Sequence, residues 1–318
     1  MLHHLKNKIR GIASCARQAS FKLSLVDTAV KNRTLKQMAH ALQKEKATII
    51  AANKSDVRAA RKKGFSSALI DRLTLTDKRI QEMSESLQQV ARLDDPVGVL
   101  IKSWHRPNGL RISKVRVPIG VVLIIYEARP NVTADCIGLC LKSSNCVILR
   151  GGSDALYSNK AIFTILEKIA RKNNLPKGII AFIDTPERKA VDILLRLDDF
   201  IDVVIPRGGE SLIREIKNKS LIPVIKHYKG ICHVYVDSGA SLNMAHRIVF
   251  NAKVQRPGVC NAMETLLVHK DVAMRFLPSM IKELQDAGCQ MRGCLVTRKI
   301  TKNLKGVKAA TKKDWSTE

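Results

Sequence analysis

Cys260 is the residue of this sequence best placed for covalent chemistry. It follows a Pro-Gly turn, which keeps it out of a helix interior, and Arg256 lies four residues before it. A nearby guanidinium favours the thiolate, the nucleophilic form of cysteine. Most cysteines of a reduced protein are small core residues, and Cys136 and Cys140, spaced i and i+4 among aliphatic residues, fit that role. We therefore expect a reactive thiol at Cys260 and core thiols at the other two positions.

Two Arg-Gly-Gly turns each follow an apolar run and precede a helical pattern. Ligands of open α/β sheets bind at such strand ends, where helix N–H groups point toward phosphates. Neither turn is a Gly-x-Gly-x-x-Gly fingerprint, so a dinucleotide would have to bind in another mode. A plain tight turn is the alternative interpretation of the first one. The residues concerned are Arg150, Gly151, Gly152 and Ser153 in the first turn, and Arg207, Gly208 and Gly209 in the second.

Asn131 follows another apolar run, Val121–Tyr126, through a Pro-Asn turn. An amide N–H at the mouth of a sheet can donate to an oxyanion that develops on a substrate. An N-cap of the following helix is an equally good interpretation on local grounds. The sequence alone leaves both open.

The histidines show no metal-ligand spacing and no triad pattern. His227 and His233 are six residues apart and have no nearby carboxylate cluster. We therefore predict no metal site. His233, which lies in an apolar strand pattern, is predicted to be a core histidine.

The elements that must position these residues follow from hydrophobic periodicity. Residues 1–92 show helical spacing, with helices expected over 9–25, 29–50 and 68–93 and with N-caps at Ser66 and Thr76. Residues 97–117, with the sequence Pro-Asn-Gly at their centre, predict a hairpin. From Gly120 onward, apolar strands alternate with helices, which predicts an α/β fold with a doubly wound parallel sheet.

Composition limits the classes of function. At 318 residues, two lobes are expected, and the net charge of +27 suggests either a nucleic-acid partner or a generally basic surface. Lysine and arginine are spread along the whole chain without a nucleic-acid-binding motif, and aromatic residues make up only 4%. We therefore favour a basic surface with no specific nucleic-acid partner.

The chain shows no signal of export or membrane insertion. Its apolar runs are far shorter than the ~20 residues that cross a bilayer, and the basic N-terminus is not followed by a signal-peptide pattern. The eight cysteines form no Cys-x-x-Cys pair. A cytoplasmic protein with reduced thiols and no membrane partner is expected.

Five motifs, in order along nearly the whole chain, together resemble the gamma-glutamyl phosphate reductases. These enzymes, also called glutamate-5-semialdehyde dehydrogenases, form a family within the aldehyde dehydrogenase superfamily. Five linked motifs are far more specific than any single one. They are YEARPNVTAD at 126–135, VILRGG at 147–152, IPRGG at 205–209, CHVYVD at 232–237 and NAKVQRPGVCN at 251–261.

The resemblance implies NADPH-dependent reduction of L-glutamyl 5-phosphate to L-glutamate 5-semialdehyde in proline biosynthesis. It places the nucleophile at Cys260 and the oxyanion-hole amide at Asn131. It places cofactor contacts on the two Arg-Gly-Gly turns, and we assign substrate contacts to Arg256 and Asn261. It also implies a homo-oligomer and a handover of the labile acyl phosphate from glutamate 5-kinase.

Residues 226–230 bear on the choice between reduction and hydrolysis. Hydrolytic aldehyde dehydrogenases carry a glutamate shortly after the cofactor domain, whereas this stretch has no carboxylate. Water would destroy a thioester on Cys260, so the absence favours reduction of an activated acyl group. A hydrolytic aldehyde dehydrogenase remains the second enzymatic interpretation.

The resemblance also predicts the domains. Residues 1–96 and 119–230 would form an aldehyde-dehydrogenase-like NADP-binding domain, 97–118 an oligomerisation hairpin, and 231–318 a catalytic domain. Family members continue beyond this point, so we expect a C-terminally truncated chain whose catalytic domain is incomplete. An inactive remnant with a basic, nucleic-acid-binding surface is therefore the alternative to an enzyme.

Overall fold

The structure, a computed structural model, describes residues 2–127, 129–226, 230–257 and 259–317. Three sequence features extend outside these residues: Ala128 in the first motif, Gly258 before the cysteine, and 227–229 in the stretch without a carboxylate. The chain divides into two compact units, Met1–Lys226 and His227–Glu318. The division lies close to the predicted boundary at residue 230. The roles assigned to the domains stay predictions.

The first unit begins with helices, as the periodicity predicts. Leu35, Met38 and Leu42 share one face of the second helix and are fully buried, which shows why the apolar spacing is helical. The predicted N-caps are confirmed, since Ser66 and Thr76 each accept a hydrogen bond from a backbone N–H three residues ahead. The helices are α1 (Leu2–Leu23), α2 (Thr28–Lys44), α3 (Lys46–Lys62), α4 (Ser67–Leu73) and α5 (Asp77–Arg92).

The single helices expected over 29–50 and 68–93 are wrong, since α2 and α3 occupy the first range and α4 and α5 the second. Glu45 leaves helical geometry with φ −98° and ψ 18°, and it separates α2 from α3. The break lets two amphipathic faces pack in different directions. Periodicity cannot detect it, because neither glycine nor proline marks the position.

A hairpin follows, as predicted. Strands β1 (Leu100–His105) and β2 (Arg111–Val115) pair antiparallel. Gly109 has a φ of +83° in the connecting turn, a conformation that favours glycine. The oligomerisation role of this hairpin stays a prediction.

A four-stranded parallel sheet forms the centre of the first unit, and this confirms the predicted doubly wound α/β class. Its strand order is β5-β4-β3-β6, so the chain runs outward from β3 and then returns to its other side. Such a reversal creates a crevice at the carboxyl ends of the strands. The strands are β3 (Val121–Tyr126), β4 (Cys146–Gly151), β5 (Ile180–Phe182) and β6 (Val203–Arg207), and the helices are α6 (Asn131–Lys142), α7 (Leu156–Lys172), α8 (Lys189–Leu194) and α9 (Glu210–Lys219).

The second unit has its own core, in which Val249 and Phe276 are fully buried. Its strands pair in parallel, β7 with β8 and β9 with β10. Within the described ranges, no helix of the chain is long and apolar enough to cross a membrane. The elements are β7 (Cys232–Val236), α10 (Leu242–Val254), β8 (Met263–Val268), α11 (Lys270–Asp286), β9 (Met291–Gly293), α12 (Leu295–Ile300) and β10 (Val307–Ala309).

The prediction of a core histidine at position 233 is wrong. Along β7, Val236 is buried, whereas His233 and Tyr235 are exposed. Successive strand side chains point to opposite faces, and the face that carries His233 is uncovered among the described residues. An apolar strand pattern alone does not reveal which face another element covers.

Candidate active site

The two Arg-Gly-Gly turns meet at one edge of the parallel sheet. In the strand register, Tyr126 at the end of β3 is paired with Gly151 on one side and with Arg207 on the other. The seven predicted cofactor residues therefore flank the end of β3. This is the reversal point of the strand order, where open α/β sheets bind their ligands.

Arg150, at the end of β4, is a buried cation whose bonding is incomplete. Only 9% of the residue is exposed, and one Nη donates to the carbonyl of Pro186 at 3.1 Å. Its Nε is buried without a hydrogen-bond partner among the described residues. Burial lowers the pKa of the guanidinium, and the neighbouring Arg188 lowers it further. An anion placed here would complete the bonding of this side chain.

Gly151 is required by close packing. A Cβ at this position would lie 2.2 Å from Nδ2 of Asn159, an amide that is itself fully buried. Asn159 accepts a hydrogen bond from Thr133 at 3.1 Å, and Thr133 bonds the Tyr126 hydroxyl at 2.7 Å. Nδ2 of Asn159 has no hydrogen-bond partner within the described part of the chain. Glycine thus brings the β4 backbone against a buried polar network.

The start of α7 already has an anionic partner. Gly152 and Ser153 lead through a short 3-10 turn into this helix. There Asp56, from α3, accepts hydrogen bonds from the backbone N–H groups of Tyr157 at 3.3 Å and Ser158 at 2.8 Å. Burial raises the pKa of Asp56. The N–H groups of Tyr157 and Ser158, in the first turn of α7, are therefore occupied by a side-chain cap.

The start of α9 holds a second carboxylate. Oε2 of Glu127, just beyond β3, accepts a hydrogen bond from the backbone N–H of Gly209 at 3.0 Å. A Cβ on Gly208 would lie 2.7 Å from the Glu127 carboxyl carbon, so glycine makes room for this side chain. Glu127 is exposed, unlike Asp56. Sequence reasoning missed it, although it belongs to the first quoted motif.

Asn131 is the first residue of α6 and is exposed. Pro130 occupies the N-cap position, so the capping interpretation of Asn131 does not hold. Its Nδ2 donates to Oδ2 of Asp135 at 3.4 Å, and Ser86 donates to the same carboxyl at 3.1 Å. Burial raises the pKa of Asp135. Asp135 was not among the predicted site residues, although its i, i+4 spacing from Asn131 indicates such a contact.

Cys260 lies in the second unit, in the turn between α10 and β8, and is half-buried. Its carbonyl accepts a hydrogen bond from the Cys232 thiol at 3.5 Å. A Cβ on Gly230 would lie 2.2 Å from that same carbonyl oxygen. The turn is thus held by its backbone while the thiol stays outside regular structure. Arg256 and Asn261 lie on the same connection and are exposed.

The remaining thiols range from buried to exposed, and four of them are half-buried like Cys260: Cys15, Cys136, Cys232 and Cys289. Burial raises the pKa of Cys136 and of Cys146 to about 12, and it raises that of Cys140 as well. This confirms the core assignment of Cys136 and Cys140. Cys294 is exposed, and a hydrogen bond from Thr297 lowers its pKa. It is therefore the most exposed of the thiols that compete with Cys260 for reagents.

The histidines of the described residues form no metal centre. No group of three or more His, Cys, Asp and Glu side chains in these ranges is arranged to hold a metal ion. His246 contacts Glu283 at 3.2 Å and Ser279 at 3.1 Å. A serine, a histidine and a carboxylate are the residue types of a catalytic triad. Ser279, however, lies inside α11, where its backbone N–H is part of the helix hydrogen bonding and does not form an oxyanion hole. This arrangement is a surface contact between two helices.

Comparison with known proteins identifies the family. The sequence pattern of the aldehyde dehydrogenase family matches residues 4–295. The gamma-glutamyl phosphate reductase of Thermodesulfovibrio yellowstonii is 51% identical over 304 residues, which are 96% of this chain and 73% of that protein. The chain thus spans about three quarters of the length of this relative.

The comparison with solved structures identifies the same family. The gamma-glutamyl phosphate reductase of Thermotoga maritima is similar with a TM-score of 0.86 and 44% identity, over 98% of this chain and 74% of that one. The enzyme of the same name from Saccharomyces cerevisiae is similar with a TM-score of 0.65 and 31% identity, over 92% and 74%. The chain belongs to the aldehyde dehydrogenase family and, within it, to the gamma-glutamyl phosphate reductases.

Proposed function

We propose that this chain reduces L-glutamyl 5-phosphate to L-glutamate 5-semialdehyde with NADPH and releases phosphate, as a step of proline biosynthesis. The relatives named above support the reaction. The single observation that carries the assignment is the setting of Cys260. It is a half-buried thiol on a turn that backbone contacts hold in place. In contrast, burial raises the pKa of the thiols in the core of the first unit and disfavours their thiolate form.

The residues at the sheet edge fit a phosphate-bearing dinucleotide. Arg150 offers a buried guanidinium whose Nε has no partner among the described residues, and Arg207 lies exposed at the end of β6. We assign cofactor contacts to these two side chains, to Gly151, Gly152 and Ser153, and to Gly208 and Gly209. NADPH, when bound, supplies a hydride.

We assign the nucleophilic role to Cys260. Its thiolate attacks the carbonyl carbon of the acyl phosphate, and the carbon–oxygen bond to phosphate then breaks, which leaves a thioester on sulfur. We assign the role of oxyanion donor to the amide of Asn131 and to the backbone N–H of Cys260. After the carbonyl carbon has received a hydride, the carbon–sulfur bond breaks. The aldehyde leaves and the thiolate is regenerated.

Three further side chains act on binding and positioning. Asp135 holds the Asn131 amide by the hydrogen bond at 3.4 Å, so it restricts the rotamers of the proposed oxyanion donor. Arg256 and Asn261, on the same connection as Cys260, are assigned to the substrate. The stretch 226–230 carries no carboxylate, so the glutamate of the hydrolytic aldehyde dehydrogenases has no counterpart there, and this favours phosphate release over hydrolysis.

The test measures the reverse reaction. Glutamate semialdehyde, NADP and inorganic phosphate are mixed with the chain, and NADPH absorbance is followed. We expect turnover that requires phosphate, is lost in Cys260→Ser and is kept in Cys294→Ser. Turnover without phosphate would indicate a hydrolytic aldehyde dehydrogenase. Turnover that survives Cys260→Ser would overturn the assignment of the nucleophile, and no turnover at all would favour the inactive remnant.

A labelling experiment reports on Cys260 without turnover. In the Cys294→Ser background, the exposed competitor thiol is removed, and peptide mapping by mass spectrometry separates alkylation of Cys260 from that of the half-buried Cys15, Cys232 and Cys289. NADPH is expected to slow this alkylation. Equal rates with and without NADPH would argue against a cofactor site that serves this thiol.

A further inference from the structure

A basic groove lies between α2 and α7, away from the edge that carries the two Arg-Gly-Gly turns. Its volume is about 1360 Å³, and both of its walls belong to the first unit. Six lysine and arginine side chains line it. They are Arg33, Lys36, Lys44, Lys168, Arg171 and Lys172.

The cations lie along the groove in two rows. On α2, Arg33, Lys36 and Lys44 are at positions i, i+3 and i+11, which share one helix face. At ~1.5 Å per residue this row is ~16 Å long. On α7, Lys168 and Lys172 are four residues apart on the facing wall. The charge is therefore linear rather than gathered at a point.

Most of this charge is not neutralised. Glu45 is the one carboxylate among the described lining residues. Arg171 forms an ion pair with Glu167, on its own helix. By contrast, Lys36 and Lys168 form no ion pair with any described residue. Like charges held side by side concentrate a positive potential inside a groove, and an anionic ligand would relieve their repulsion.

One wall is pre-organised by a buried amide. Asn173, of which 8% is exposed, accepts a hydrogen bond from Nε of Arg33 at 3.1 Å. It also donates to Oε1 of Gln37 at 2.8 Å. These bonds hold the Arg33 guanidinium in place at the groove. Arg33 would therefore lose less side-chain entropy when a ligand binds.

We propose that this groove binds a linear chain of phosphates. The two sources of that chemistry are the backbone of single-stranded RNA and inorganic polyphosphate. No phenylalanine, tyrosine or tryptophan is among the described lining residues, so His40 and the arginine guanidinium groups are the stacking partners that bases would find there. Recognition would rest on the phosphates and would be independent of sequence, in line with the predicted lack of a specific nucleic-acid partner.

The experiment compares two double variants with equal change in net charge. Lys36→Glu/Lys168→Glu reverses one cation on each wall. Lys54→Glu/Lys78→Glu reverses two exposed lysines on α3 and α5, outside the groove. Binding of a fluorescently labelled oligouridylate is followed by anisotropy over a series of KCl concentrations, and circular dichroism verifies that each variant is folded.

For single strands, each phosphate contact contributes about 0.7 to the slope of log affinity against log salt. The groove variant should therefore flatten the slope by about 1.4 and lose roughly tenfold in affinity near physiological salt. The control variant should keep the slope of the unchanged chain. Equal losses in both variants would show that net charge alone drives binding, and this would overturn the proposal.

Competition distinguishes the two sources. Linear polyphosphate that displaces the oligouridylate at equal phosphate concentration identifies the phosphate chain itself as the ligand. Displacement only at a large excess identifies RNA as the preferred source. Polyphosphate that fails to displace the oligouridylate, or an oligouridylate that does not bind even at low salt, would refute the proposed site.

Discussion

Glu127 occupies the position where the proposed cofactor would present a phosphate. Its carboxylate accepts the backbone N–H of Gly209 at 3.0 Å, at the start of α9. This N–H and the positive end of the helix are the groups that bind phosphates in dinucleotide sites. A phosphate must therefore displace the carboxylate or accept its repulsion. Glu127→Gln keeps the size of the side chain and removes the charge.

The magnitude follows from the two interactions that change. An anion at a helix N-terminus is stabilised by about 0.3–1 kcal/mol, and a charged hydrogen bond exceeds a neutral one by about 1 kcal/mol. Because Glu127 is exposed, solvent screens both effects, and we expect about 1 kcal/mol in total. Since 1.4 kcal/mol corresponds to tenfold, NADPH should bind about fivefold more tightly to Glu127→Gln.

The assay is a titration of NADPH fluorescence against the unchanged chain, Glu127→Gln and the control Glu85→Gln. Glu85 is an exposed glutamate on α5, so its substitution changes the net charge equally. The gain in affinity should appear only in Glu127→Gln and should shrink as salt is added. Equal or weaker NADPH binding by Glu127→Gln would refute the reasoning, since Glu127 would then contribute to the cofactor site instead of competing for it.

Three further predictions concern the supports of the site. Asp56→Ala removes the cap of α7 and should lower the free energy of unfolding by about 1–2 kcal/mol in urea denaturation. Gly151→Ala forces a Cβ onto a fully buried amide and should cost about 1–3 kcal/mol, whereas Gly11→Ala, inside a helix with open space around it, should be neutral or stabilising. Burial raises the pKa of Asp135. The stability that its protonated carboxyl contributes is therefore complete below the pKa of the unfolded chain, ~3.9, and is lost as pH rises through the pKa of the folded chain. The melting temperature of Asp135→Asn, relative to that of the unchanged chain, should therefore rise as pH increases between about 4 and 7. A constant difference between the two melting temperatures would contradict this.

The central sheet could be predicted because its strands carry the signal within themselves. Residues 121–126 are all apolar or aromatic and all buried, which is the pattern of a parallel strand covered on both faces. The hairpin was predictable for a similar reason, since its turn contains Gly109. The break at Glu45 and the three-residue strands β9 and β10 leave no such mark, because tertiary packing decides them. His233 was misjudged because strand periodicity does not tell which face is covered.

The residues of the site also fall into those that could be located from the sequence and those that could not. The glycine turns and the Pro-Gly turn before Cys260 are local patterns, and the sequence located them. The carboxylates that fill the turns come from far along the chain, Asp56 from 102 residues before Ser158 and Glu127 from 82 residues before Gly209. No spacing rule connects such distant positions.

The two occupied turns differ in a way that decides where a phosphate can bind. Asp56 accepts two backbone N–H groups and the Ser158 hydroxyl from a buried position, so removing it would leave the two buried donors of Ser158 unpaired. Glu127 is exposed, and it accepts one backbone N–H in an arrangement that a better anion can replace. The N–H groups of Tyr157 and Ser158 are therefore closed to a phosphate, while the start of α9 is exchangeable. At the first turn, the buried guanidinium of Arg150 is left as the group that needs an anion.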